Sequence, residues 1–150
     1  MATKKSRPKK TKPRLGLRHQ PETLRLRKLT PGFTASDLAR SMTFYRDVLG
    51  FVIGDEWREN GDLTGCEIHA GAVTFMLNQD DFAKGRDRKK GAGLRLYCIT
   101  GQDIDQLAAA IKEKGGQLAQ EPQDQPWGAR DLAVVDPDGF VISISTGVRS

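Results

Sequence analysis

The 150-residue chain has two histidines, His19 and His69, and two cysteines, Cys66 and Cys98. With so few imidazoles and thiols, any general-base, nucleophilic or metal chemistry must gather around a small number of positions. Glu67 and His69 stand two apart in TGCEIHA, and on a strand that spacing puts both side chains on one face. A carboxylate beside an imidazole can move protons or begin a metal site. No third ligand is evident nearby, and the competing reading is a solvent-facing or pocket-lining pair. Arg95 and Arg130 lie inside the apolar runs LRLYCIT and ARDLAVV, where an unpaired charge is costly to bury. Each could clamp a ligand carboxylate or phosphate bidentately, or pair with a carboxylate of the chain such as Asp131 or Glu67. Trp57 and Trp127 offer broad stacking surfaces for an aromatic ligand, or pack the core or a dimer interface. Tyr97 joins Glu67 and His69 as a group able to do acid–base work, but no base–nucleophile pair or carboxylate dyad is visible. Cys66 and Cys98 sit in strand-like apolar runs and read as buried, reduced thiols.

The elements that must position these residues fall into a repeat. In Asp37–Gly50, Leu38, Met42, Tyr45 and Leu49 recur with helical spacing, and Ser36 or Asp37 can cap the start. In Asp103–Gly116, Ile104, Leu107, Ala108 and Ile111 repeat the pattern. A strand candidate precedes each helix, Leu26–Ala35 (broken by Pro31-Gly32) and Leu94–Thr100. Three follow the first, Phe51–Arg58, Thr64–His69 and Ala72–Asn78. Three follow the second, Gln117–Gln120, Arg130–Val135 and Phe140–Thr146. The repeat predicts an α+β chain of two βαβββ halves, about 26–79 and 92–146. The charged stretch KGRDRKK between them reads as a solvated linker.

Charge divides the chain differently. Residues 1–25 carry nine Lys or Arg against Glu22 alone, whereas the remainder has 15 basic and 18 acidic residues. The basic excess therefore belongs to an N-terminal tail, rich in Lys, Arg and Pro, that reads as disordered. Such a tail could hold a polyanion weakly, or serve only as a solubilising extension. No apolar run is long enough to span a membrane and no secretory signal is evident, so the expected location is the cytoplasm.

TASDLARSMTFYRDVLGF, GQDIDQLAAAIKEKGG and PWGARDLAVVDPDGFVISIS, in that order, resemble the vicinal-oxygen-chelate superfamily of glyoxalases, bleomycin-resistance proteins and extradiol dioxygenases. The resemblance covers most of 26–146. It implies two open, four-stranded half-barrels with concave clefts, and a homodimer. It also implies a divalent metal where a His opens the first strand of each half and a Glu lies on the last. Carried over by position, those ligands fall on Thr30, Leu96 (or Leu94) and Ser143, with the first-half Glu counterpart near Phe75 or Met76. None is a usual ligand, so no cofactor is predicted. The leading expectation is binding of a small aromatic or acidic compound by Trp57, Glu67, His69, Arg95, Trp127 and Arg130. The alternatives are a metal-dependent lyase, isomerase or dioxygenase with a displaced ligand set, and a nucleic-acid-associated protein acting through its tail.

Overall fold

The structure is a computed structural model and describes residues 24–148, so most of the basic tail lies outside it. Both helices begin at an aspartate. The Asp37 carboxylate accepts from the Arg40 N–H at 3.1 Å and that of Asp103 from the Gln106 N–H at 2.9 Å. Each cap satisfies a donor that the first turn leaves without an intrahelical partner. Helix α2 spans Ile104–Glu113. Helix α1 spans only Leu38–Thr43 and continues as a π-helical turn, Phe44–Val48, where a single α-helix was expected. The wider turn seats Tyr45, which is fully buried, with its ring edge-on to Phe51 and its hydroxyl donating to Asp136 at 2.9 Å.

The described residues hold eight strands: β1 Gly32–Ala35, β2 Val52–Glu59, β3 Asp62–Ala70, β4 Val73–Gln79, β5 Arg95–Ile99, β6 Leu118–Asp124, β7 Arg130–Val135 and β8 Val141–Ser145. They form two four-stranded sheets, ordered β1-β4-β3-β2 and β5-β8-β7-β6. In each, the first and last strands pair in parallel and the remaining pairs are antiparallel. These are the two βαβββ halves, built as open sheets. The first strand is shorter than Leu26–Ala35 because Pro31 has no N–H to donate to a ladder; Leu26 and Leu29 ahead of it are exposed.

Alternation along the strands decides what faces inward. Cys66 and Ile68, Phe75 and Leu77, Leu132 and Val134, and Ile142 join Leu38, Tyr45, Ile104 and Ile111 of the helical layer in one core. That core spans both halves: the Phe33 ring stacks on Phe140 with centroids 4.3 Å apart. The alternate residues look out on the other side, the open face of each sheet.

The linker corrects the reading of KGRDRKK as wholly solvated. Lys84 to Lys89 are exposed, but Lys90 is buried, its Nζ 2.9 Å from Asp80 Oδ2 and 2.9 Å from Ser36 Oγ. Ser36 Oγ in turn donates to Asp138 Oδ1 at 2.6 Å, across the boundary between the halves. The Lys90 ammonium, with the Phe82 N–H and Arg88, holds the Asp80 carboxyl down at about 2. A buried cation is tolerable only when paired in this way. Among the described residues no helix is long and apolar enough to cross a membrane.

Candidate functional site

On the first-half sheet, Trp57, Gly65, Asn78 and Thr34 stand in one row across all four strands. Trp57, Asn78 and Thr34 help bound a cleft of about 600 Å³ that Asp80, Lys84 and Arg88, at the start of the linker, also line. The indole lies flat on Gly65, where a Cβ would collide with the ring. One step along, the His69 imidazole lies on Gly54 in the same manner. Two glycines thus provide slots into which β2 and β3 lay an aromatic ring across the sheet.

Glu67 and His69 do share the open face, as their spacing requires. His69 Nε2 is 3.5 Å from Glu67 Oε2, and His69 Nδ1 is 2.9 Å from Thr74 Oγ1 on β4. Thr74 was not singled out in the sequence. The Ala70–Gly71 turn is its only signal: counting outward from that hairpin pairs His69 with Thr74.

On the second-half sheet, Tyr97, Ser143, Ala133 and Gln120 form a row. Tyr97 is 48% exposed and donates its hydroxyl to Ser145 Oγ at 2.6 Å. Buried Asp131 accepts from the side-chain amides of Gln120 and Gln125 at 2.6 and 2.8 Å. Arg95 has the parity of Tyr97, is exposed, and has no ion-pair partner among the described residues. Leu96 packs on the core side. The transfer of spacing from the first half misplaces it, because the open-face residue Thr34 of β1 lies three residues before the Asp37 cap whereas Tyr97 of β5 lies six before the Asp103 cap, so an offset that keeps to the open face in one half reaches the core face in the other. Tyr97 therefore occupies the open-face position beside Ser143, and Thr30 lies half-buried just ahead of β1.

Arg130 points the other way. It is held by Asp105 of α2 at 2.7 Å and Asp124 of β6 at 3.1 Å, pairings that raise its pKa further. The alternative of a structural pair with a carboxylate of the chain is the one realised, with Asp105 and Asp124 in place of Asp131 or Glu67, and the guanidinium braces the helix against the sheet instead of facing the cleft. Trp127 stands 53% exposed in the turn between β6 and β7. Burial pushes the Cys66 thiol up to about 11 and raises that of Cys98, so neither is a poised nucleophile.

A family model described as Glyoxalase/Bleomycin resistance protein/Dioxygenase superfamily matches residues 29–144. The chain belongs to that superfamily. Among curated relatives, a probable lactoylglutathione lyase from Synechocystis sp. (strain ATCC 27184 / PCC 6803 / Kazusa) is 28% identical over 117 residues, covering 72% of this chain and 86% of the relative. Lactoylglutathione lyase GLX1 from Arabidopsis thaliana is 28% identical over 120 residues, 75% of this chain but 41% of the relative. A putative lactoylglutathione lyase from Brassica oleracea var. gemmifera is matched over only 20% of its length. The chain thus spans less than half of these two plant relatives. Among solved structures, TioX from Micromonospora sp. ML1 superposes with a TM-score of 0.64 at 19% identity, covering 78% of this chain and 95% of that one.

Superfamily members that use a divalent ion need about three His, Glu or similar ligands converging on one point. The corresponding positions here offer the hydroxyls of Thr30, Tyr97 and Ser143. Among the described residues, no three of His, Cys, Asp and Glu come together. The donor set does not fit such an ion.

Proposed function

We propose that this superfamily member binds a small aromatic or acidic compound on its open faces, without a metal held by the cleft side chains, and serves to sequester it. The observation that supports this reading is the pairing of Arg95 and Tyr97. An exposed cation with no ion-pair partner among the described residues stands two residues from a half-exposed aromatic ring on one strand face, with Ser143 and Ser145 beneath. A ring on Tyr97 and a carboxylate on Arg95 would be recognised together. Trp57, over Gly65, offers a second stacking surface in the first-half cleft. We further propose a cytoplasmic homodimer. Val52, Val73 and Ile99 are apolar strand residues left exposed in the single chain, as an interface would require.

The second reading, a metal-dependent lyase, draws on the names of the curated relatives and on Glu67 and His69 sharing a strand face. Elemental analysis after incubation with Mn, Fe, Ni and Zn separates the two. We expect substoichiometric metal, together with binding of 2-naphthoate that weakens about tenfold or more in Arg95→Ala, as loss of a charge-assisted contact implies. One tightly held ion per chain, lost in His69→Ala, would replace the binding reading with the lyase. A third reading, polyanion binding through residues 1–25, concerns a segment almost wholly outside the described residues. It predicts that deleting the tail abolishes binding to a polyanion.

A further inference from the structure

The chain Glu67–His69–Thr74 orders a carboxylate, an imidazole and a hydroxyl across two neighbouring strands. His69 Nε2 is 3.5 Å from Glu67 Oε2 and His69 Nδ1 is 2.9 Å from Thr74 Oγ1. A nucleophile and a base within hydrogen-bond reach, with the base oriented by a third group, are the geometric requirements for covalent catalysis by a hydroxyl. Two features hold the imidazole in this position. Its ring rests on Gly54, where any side chain would displace it, and its neighbours Glu67 and Thr74 are fixed by the β3–β4 ladder. All three side chains are on the open face, with His69 and Glu67 about one-third exposed, so a ligand can reach them.

We propose that Thr74 is a nucleophile for acyl transfer, activated by His69 and Glu67 without a metal. Thr74 Oγ adds to the carbonyl carbon of an activated ester while its proton passes to His69 Nδ1. Glu67 faces the resulting imidazolium at Nε2. The carbonyl re-forms, the bond to the leaving oxygen breaks, and that oxygen takes the proton from Nδ1, leaving an acyl-Thr74 ester. Water, deprotonated by Nδ1, adds to this ester. The carboxylic acid then leaves and Thr74 Oγ recovers its proton from His69. Among the described residues Thr74 Oγ1 has His69 as its one side-chain hydrogen-bond partner, so no side-chain oxyanion donor is paired beside it. Losing one such donor lowers rates by about 10² to 10³ in enzymes that have it. The substrates are therefore esters with good leaving groups, turned over slowly. This activity stands apart from the binding reading and survives its failure.

The test uses the full chain in EDTA with 4-nitrophenyl acetate, following nitrophenolate release and locating the acetyl group by peptide mass spectrometry. We expect acetyl on the peptide carrying Thr74. It should vanish in Thr74→Val and His69→Asn, persist in Thr74→Ser, and form more slowly in Glu67→Gln. The His69→Asn rate should fall about a hundredfold, the usual loss for a general base. Thermal unfolding of each variant separates loss of chemistry from loss of fold. Acetyl found only on lysines, with release unchanged in folded Thr74→Val, would overturn the proposal.

Discussion

Gly54 and Gly65 matter for what they lack. Each lies under a ring that a neighbouring strand has laid across the sheet, His69 over the first and Trp57 over the second. Gly65→Val should evict the indole, cost about 1–3 kcal/mol as overpacking does, and redshift Trp57 emission; urea unfolding and fluorescence in a Trp127→Phe background report both. A native-like spectrum would mean that the indole has another resting place. At this scale the sequence was partly legible. Glu67 and His69 meet as their spacing requires, because strand alternation is a local rule. The true partners of Arg130, Asp105 and Asp124, were not legible, since they depend on how α2 and β6 dock on β7.

The helices were the most legible elements, because their signals lie within a few residues. Asp37, one of the two residues read as able to cap the first helix, and Asp103, at the start of the second, both cap, and replacing either with Ala should cost about 1 kcal/mol. Asp103→Ala should cost more than Asp37→Ala, because Asp103 opens the full ten-residue α2 whereas α1 gives way to a π turn after six; chemical denaturation of both variants checks the ranking. That π turn was hidden, since the apolar spacing of Leu38, Met42 and Tyr45 fits an α-helix equally well. The face of β5 was hidden too. A strand's parity rests on the exact count of residues to the next element, and that count is three from Thr34 to the Asp37 cap but six from Tyr97 to the Asp103 cap, which puts Tyr97 rather than Leu96 on the open side.

For the whole molecule, the repeat made the two halves visible, while the contacts that join them were not. Lys90, Asp80, Ser36 and Asp138 come from four separate segments of the chain. Asp80 is more acidic folded than unfolded, so its contribution to stability is complete above about pH 4 and fades as pH falls toward about 2. Lys90→Met should lower the melting temperature at neutral pH and flatten that acid dependence. A melting curve series over this range tests it, and an unchanged acid profile would assign the loss to other carboxylates.

The same junction fixes how the molecule can be cut in two. Lys90 belongs by sequence to the linker but by contact to the first half, where it meets both Asp80 and Ser36. A chain severed before Arg88 yields a second fragment that carries both cations and a first that keeps Asp80 bare, so each fragment holds the charge the other needs. Severed after Lys90, the first fragment is already neutralised, and the Ser36–Asp138 and Tyr45–Asp136 hydrogen bonds and the shared apolar core, with its Phe33–Phe140 stack, remain to bring the pieces back. The position of the break, a few residues either way, thus decides whether reassembly of the two fragments depends on salt.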